Sequence, residues 1–211
     1  MPITFDPAPL GAILAGGLAR RLGGGDKALR TVGGRTVLER LVGRVTPQVT
    51  RMILNANDDP MRFASVGLPV VPDTLPGCPG PLAGLLAALD WAASVEPATE
   101  WVLTVPGDAP FVPRDLVSRL QAERRRTGAT FACAASAGRS HPVVALWPVS
   151  VRHELRDALT VDGVRKVGAF TQRHSIVAVD WPATPADPFF NVNKPQDLVE
   201  ADRLAAAHAD L

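Results

Sequence analysis

The sequence predicts an α/β fold, a three-layer sandwich with helices on both faces of a mostly parallel central sheet. Three observations predict it. Short, continuous apolar runs alternate with segments of helical period, the pattern of strand–helix–strand units. The 211 residues are 46% hydrophobic and 20% charged, enough for one core that buries about 70% of the unfolded chain's surface. The 18 glycines and 20 prolines exceed average usage without reaching low complexity, so they signal many turns. No repeat or linker divides the chain, and residues 1–211 are expected to form one domain.

The elements follow in order. Leu10–Ala15 (LGAILA) is an unbroken apolar run, as in a strand buried on both faces. A glycine-rich loop follows. Thr31–Arg35 (TVGGR) reads as a tight turn, because Gly-Gly supplies positive φ. Val37, Leu38, Leu41, Val42 and Val45 recur at helical spacing and stop near Pro47. Arg51–Leu54 and Leu68–Val71 are strands, and a Pro- and Gly-rich stretch (Pro72–Pro81) opens into a helix over Leu82–Ala93. Trp101–Val105 is another buried strand, ending at Pro106-Gly107-Asp108. Pro113–Arg126 is helical with proline at a tolerated first-turn position. Strands over Thr130–Ala135 and Val143–Trp147 precede a helix over Ser150–Leu159. Ile176–Val179 is a late strand and Pro195–Ala207 a final helix.

Composition excludes several functions. The formal net charge is +1, so no global basic field points to nucleic acid. Cys78 and Cys133 stand far apart with no Cys-x-x-Cys, which argues against a disulfide framework and a zinc site. His153, His174 and His208 have no metal-ligand spacing. Residues 1–9 lack a basic n-region, and Pro81–Ala93, the longest apolar segment, falls short of a membrane span. A cytoplasmic protein without membrane contact is expected.

In open α/β sheets ligands bind beyond the carboxyl ends of strands. After the first strand comes Leu14-Ala15-Gly16-Gly17-Leu18-Ala19-Arg20-Arg21-Leu22-Gly23-Gly24-Gly25-Asp26-Lys27. Glycines let backbone N–H groups approach an anion closely, and arginine and lysine neutralise phosphate. The segment reads as a triphosphate loop. It is not a Walker A motif, since Gly-Lys-Ser/Thr is absent, nor GxGxxG, since position 18 is leucine. The competing reading is a surface loop with solvated arginines.

This loop resembles the nucleotidyltransferase signature, and Leu14–Lys27 is similar to the LAGGxxxRMGGxDK pattern of the molybdenum cofactor guanylyltransferases, with Leu22 in place of Met. Further agreements follow in chain order: Asn55-Ala56-Asn57, Asp73, Gly80-Pro81-Leu82-Ala83-Gly84, Asp108-Ala109-Pro110-Phe111, His141-Pro142-Val143 and Phe190-Asn191-Val192-Asn193. The resemblance covers about residues 10–205 and implies a Rossmann-like sandwich of the nucleotide-diphospho-sugar transferase type. One departure is Lys194-Pro195-Gln196, where the family often carries Thr-Pro-Glu. This weakens any role for a carboxylate at position 196.

The resemblance implies transfer of GMP from GTP to the phosphate of molybdopterin-bound molybdenum cofactor, with pyrophosphate released. Such a reaction needs positioning and charge stabilisation more than a general base, because the attacking phosphate is already anionic. Arg21, Lys27 and Asp108 are the expected catalytic residues. Leu14, Ala15, Gly16, Gly17, Lys27, Asn55, Asp73 and Asp108 are expected to contact GTP. Asp108 is the expected ligand of Mg²⁺ or Mn²⁺, since such a cation takes one or two carboxylates plus phosphate oxygens.

His141, Asn191 and Asn193 are expected on the acceptor side, and Arg165, Lys166 and Arg173 form a late basic group suited to an anionic pterin. Each assignment has a plainer competitor. Asp108, Asp73 and Asn55 suit turn caps, His141 suits simple packing, and the late basic group suits a solvated face. Phe189-Phe190 fits core better than pterin stacking.

Expected partners are the two substrates, with transient contact to molybdenum cofactor biosynthesis proteins and apo-molybdoenzymes. The competing functions are a cytidylyltransferase on the same acceptor, a nucleotidyltransferase on another phosphorylated metabolite, and a non-catalytic nucleotide or cofactor carrier.

Overall fold

The computed structural model describes residues 6–16, 26–77 and 80–208; Gly17, Arg21 and Cys78 lie outside the described residues. Strand β1 (Leu10–Leu14) is apolar and buried along nearly all its length, so it requires cover on both faces. Thr31–Val32 (β2) and Arg35–Thr36 (β3) pair antiparallel across Gly33 and Gly34. Both glycines hold positive φ, +56° and +75°, the backbone of the two-residue hairpin turn. Helix α1 (Val37–Val45) starts at once and is capped from both sides. Thr36 Oγ1 accepts from the Glu39 amide at 3.1 Å, and Glu39 Oε2 accepts from the Thr36 amide at 2.7 Å. Amides that the helix cannot satisfy internally thereby find acceptors.

Strand β4 (Met52–Asn55) and the short β5 (Val70–Val71) flank a 3₁₀ helix over Pro60–Val66 that the sequence pattern does not announce. Helix α2 (Pro81–Val95) is buried almost all round, which accounts for its apolar composition. Strand β6 (Trp101–Pro106) leads to α3 (Leu116–Thr127). This helix begins later than Pro113, with Asp115 at its N-cap, and Gln48 Oε1 accepts from the Val117 amide at 3.0 Å. The proline therefore sits ahead of the helix.

Strands β7 (Phe131–Ser136) and β8 (Arg139–Pro148) form a hairpin, followed by α4 (Arg152–Thr160), a short α5 (Val167–Thr171), β9 (Ile176–Trp181) and α6 (Pro195–Ala207). Helix α5 is too short to show a period, which is why the sequence does not predict it.

Apart from the β2–β3 hairpin, the strands form one seven-stranded sheet in the order β5-β4-β1-β6-β8-β7-β9. All run parallel except β8, which pairs antiparallel with both β6 and β7. Alternate residues feed two cores. Ile13, Leu54, Leu103 and Val105 pack under α1, α3 and α6. Leu10, Ala12, Ile53 and Val102 pack under α2, α4 and α5. This is the expected three-layer α/β sandwich. Among the described residues no helix is long and apolar enough to cross a membrane. Cys133 is buried within the second core; burial pushes its thiol up to about 11, so it is unreactive at neutral pH.

Burying polar atoms in such a sheet requires internal partners. Trp147 Nε1 donates to Thr104 Oγ1 at 2.8 Å, and that hydroxyl donates to the Val143 carbonyl at 2.7 Å. Both side chains are about 1% exposed. Thr104→Val keeps the shape and removes the hydroxyl, leaving a buried indole N–H unpaired. The expected loss is about 1–3 kcal/mol of stability, read from urea denaturation. An unchanged midpoint would show that this bond adds nothing.

Candidate active site

The ends of the three central strands lie level. Leu14 pairs with Asn55 on one side and with Pro106 on the other, so the chain leaves β1, β4 and β6 at one height. Strand order reverses here, between β1 and β6, the position at which doubly wound sheets open a crevice. The Gly107 amide donates to the Leu14 carbonyl at 2.9 Å. A Cβ at position 107 would stand 3.1 Å from Ala15 Cα, so glycine permits this approach and Asp108 lands beside the first loop. A cavity of about 500 Å³ opens at this point, the size range of small-molecule sites.

Lys27, on the 3₁₀ turn Lys27–Leu29, extends into the cavity. Its ammonium lies 3.2 Å from Asp108 Oδ2 and also donates to Asn193 Oδ1. The lysine and aspartate side chains are 21% and 17% exposed. Burial raises the Asp108 carboxyl above the ordinary aspartate value, and the Lys27 charge offsets only part of that. Two hard oxygen donors thus converge on one positive charge, a donor chemistry that fits Mg²⁺ or Mn²⁺. Among the described residues no group of three or more His, Cys, Asp or Glu gathers. A cation here would therefore complete its shell with ligand oxygens and water.

Across the cavity stands a second carboxylate with different neighbours. Asn55 Nδ2 donates to Asp73 Oδ1 at 2.9 Å and to the Val71 carbonyl at 3.0 Å. Asn57 Nδ2 donates to Asp73 Oδ2 at 2.9 Å, and Asn57 Oδ1 accepts from the Asp73 amide at 2.9 Å. Asn55 is buried against the first turn of α2, where a Cβ on Gly84 would lie 2.1 Å from Asn55 Oδ1. The Gly84 position is therefore reserved for the asparagine amide.

The chain returns to the cavity ahead of α6. The Val192 amide donates to the Asp108 carbonyl at 2.8 Å. Asp197 Oδ2 accepts from the amides of Asn193 and Lys194, each at 2.8 Å. The carboxylate that organises this return is thus at position 197, one residue beyond the family's usual glutamate. Asn191 and Asn193 both line the cavity.

His141 does not line it. His141 Nε2 bonds to Ser136 Oγ at 2.7 Å, Ser136 Oγ donates to Asp187 Oδ1 at 2.8 Å, and that oxygen also accepts from the Phe189 amide at 2.9 Å. The serine gives its one proton to the aspartate, so it accepts from the histidine and links the two side chains in one polar chain. Burial lowers the His141 pKa, with Arg139 adding to the effect and Asp187 opposing it.

Phe189 is core, its ring 5.0 Å from His141 and 5.5 Å from Trp181. Of the late basic group, Arg165 Nη1 donates to the carbonyls of Leu159 and Val164, and Arg173 pairs with Asp162 at 2.7 Å.

The structure brings Leu14, Ala15, Gly16, Lys27, Asn55, Asp73, Asp108, Asn191 and Asn193 to one cavity. Sequence reasoning missed Asn57, although its i+2 spacing from Asn55 at a strand exit puts both amides on one side. It also missed Gly84 as the seat of Asn55, and left Asp26, which pairs with Arg62 at 3.0 Å, outside the site as a neighbour that orients Lys27.

A mostly parallel sheet whose switch-point cavity gathers a lysine, a partly buried carboxylate and Gly16 at the first strand's exit has the architecture of a nucleotidyltransferase. The family model described as the MobA-like NTP transferase domain matches residues 11–178. A Rhodopseudomonas palustris (strain BisB5) protein named molybdenum cofactor guanylyltransferase is 54% identical over 205 residues, covering 97% of this chain and 98% of its own.

Molybdopterin-guanine dinucleotide biosynthesis protein A from Archaeoglobus fulgidus shares the fold, with TM-score 0.74 at 23% identity over 94% of this chain and 100% of its own. So does a Mycobacterium tuberculosis protein crystallised with manganese, at TM-score 0.66 and 18% identity, covering 93% and 98%. The chain belongs to the molybdenum cofactor guanylyltransferase family.

Gly84→Ala tests the seat of Asn55. The added methyl must displace the amide, so stability is expected to fall by about 1–3 kcal/mol, the usual cost of overpacking, and GTP affinity with it. Thermal melts with and without GTP check this. A variant with parent-like melting and GTP shift would show that Asn55 has no fixed place there.

Proposed function

We propose that this chain transfers GMP from GTP to the terminal phosphate of molybdopterin-bound molybdenum cofactor. One observation carries the reading: Lys27, Asp108 and Asn193 meet at one point of a nucleotide-sized cavity at the sheet's switch point. An acceptor phosphate oxygen attacks the α-phosphorus of GTP. The bond from the α-phosphorus to the bridging oxygen breaks, and pyrophosphate leaves with that electron pair. The attacking oxygen is already anionic, so rate enhancement comes from alignment and charge stabilisation.

The residues divide the work. Backbone amides of Gly16 and Gly17, beyond Leu14 and Ala15, approach the triphosphate; Arg21 and Lys27 neutralise it. Asp108, with Asn193 beside it, would hold Mg²⁺ or Mn²⁺, which supplies further charge neutralisation when bound. Lys27 grips Asp108 in the structure described here. An incoming triphosphate offers the ammonium stronger partners and frees the carboxylate for the cation.

Asn55 and Asp73 take the nucleoside. Asn191 and Asn193 face the acceptor, and His141 acts from behind their loop through Ser136 and Asp187. Residues 1–211 work as one domain in the cytoplasm. Product is handed on by transient contact with molybdenum cofactor biosynthesis proteins and apo-molybdoenzymes.

Thermal shift with GTP, CTP, ATP and UTP plus Mg²⁺ tests the nucleotide. GTP is expected to stabilise most, by RT ln(1 + [L]/Kd); equal stabilisation by CTP would move the chain to the cytidylyltransferases. Pyrophosphate release on adding molybdopterin to enzyme and GTP tests the reaction, and its absence at saturating Mg²⁺ would leave a carrier. Asp108→Ala is expected to lower turnover by about 100-fold or more, the scale of lost electrostatic stabilisation.

The raised Asp108 carboxyl gives a signed pH prediction. A carboxyl that binds its proton more tightly in the folded chain loses stability as pH rises through the interval between its ordinary and raised values. Ionised Asp108 therefore costs stability at neutral pH. Asp108→Asn is expected to melt at pH 7 at least as high as the parent while losing turnover. The acid limb of kcat/KM should also move to lower pH as Mg²⁺ increases, because cation and proton compete for one carboxylate. A limb indifferent to Mg²⁺ would remove Asp108 from the metal role.

A further inference from the structure

The 3₁₀ helix over Pro60–Val66 carries an arginine whose contacts span the cavity wall. Arg62 Nη1 lies 3.1 Å from Asp26 Oδ1 and 3.0 Å from Asp26 Oδ2. Arg62 Nη2 donates to the Asn57 carbonyl at 2.6 Å, and Nε donates to the Asp59 carbonyl at 3.0 Å. All three guanidinium nitrogens are engaged. Asp26 is 8% exposed, so removing this partner would leave a buried carboxylate without a described ion pair. Asp26 directly precedes Lys27, and Asn57 holds Asp73 through both atoms of its side-chain amide. One guanidinium thus joins the backbone that carries the cavity lysine to the asparagine that orients the carboxylate opposite.

We infer that Arg62 is a positioning residue that makes the two ends of the nucleotide site act as a unit: it fixes the segment carrying Lys27 relative to the Asn57–Asp73 clamp. This deepens the reading given under Proposed function and rests on it, because it takes Lys27 as the phosphate-side cation and Asp73 as the nucleoside-side acceptor. Arg62 itself does not line the cavity. It acts through its neighbours, and its loss should damage the match between the two ends more than either end alone. The linkage combines a charge-assisted contact, one Nη1 shared between both Asp26 oxygens, with carbonyl acceptors on Nη2 and Nε that fix the guanidinium plane.

The test compares ligands that differ only in the phosphate tail. Calorimetric titrations with GTP and with GMP, both with Mg²⁺, are run on the parent, Arg62→Ala, Arg62→Lys, Asp26→Asn and Lys27→Ala. Arg62→Ala is expected to weaken GTP by about 10-fold and GMP by less, so that the GTP-to-GMP affinity ratio falls by at least about 3-fold, within the range of coupled neighbours. Arg62→Lys keeps the charge opposite Asp26 and should recover part of the ratio. Asp26→Asn should lower it as Arg62→Ala does, and carries the test should the alanine variant not fold.

General structural damage would weaken both ligands equally. A constant ratio in Arg62→Ala and Asp26→Asn, with the ratio collapsed in Lys27→Ala, overturns the linkage and leaves the role of Lys27 standing. A constant ratio in Lys27→Ala overturns the phosphate role of Lys27 and the linkage with it.

Discussion

A carboxylate drawn out of water at the end of a central strand is the constraint on which the site turns. Main chain brings Asp108 there: the β1–β6 register and the Gly107 amide on the Leu14 carbonyl set its backbone beside the exit of β1. The fold then carries an ionised group whose burial disfavours its charge, beside the Lys27 ammonium. A domain selected only for stability would replace both with apolar side chains, since buried pairs seldom return their desolvation cost. A pair kept at the mouth of a cavity makes sense as a site that accepts a cation and a polyanion together.

The glycines and the return loop serve that placement. Gly107 lets two strand ends close to contact, and Gly84 leaves room for the Asn55 amide on the other side of β1. Val192 is fixed to the Asp108 carbonyl and Asp197 to the amides of Asn193 and Lys194. The segment that supplies Asn193 is therefore held at both ends, and its proposed acceptor-side role has a rigid base. Lys194-Pro195-Gln196 departs from the family's sequence, and the carboxylate that holds this turn is Asp197.

The sheet and most helices were legible because each has a period and a boundary signal. Leu10–Leu14 is apolar throughout, α1 repeats at helical spacing, and Pro195 opens α6 where the sequence places it. Elements without a period were not legible: α5 is five residues long, and the helix over Pro60–Val66 is 3₁₀. Pro113 misled because a residue tolerated in a first turn does not mark one: the helix starts at Leu116, with Asp115 at the N-cap position.

The site was legible where it follows a strand, as at Asp108 and Asn55. It was illegible where residues reach it from distant segments: Asp26 meets Arg62 thirty-six positions away. His141 illustrates the converse, since its neighbours in sequence place it near the cavity while its Nε2 is committed to Ser136.

Two aspartates on one cavity are given opposite surroundings, and this separates their chemistry. Asp108 faces an ammonium and is partly desolvated, so its ionised form gains most from a cation. Asp73 is held by the neutral amides of Asn55 and Asn57, one on each oxygen. Amide donors fix its orientation without cancelling its charge, and each oxygen keeps a lone pair.

A carboxylate so arranged suits neutral donors such as ribose hydroxyls or the N–H edge of a base, whereas one beside Lys27 suits metal and phosphate. Exchanging the two environments would put the ammonium at the nucleoside end and leave an unopposed negative charge at the phosphate end, which would repel its ligand. The polarity of the proposed site, nucleoside toward β4 and phosphates toward β6, therefore follows from which carboxylate is given amides and which is given an ammonium.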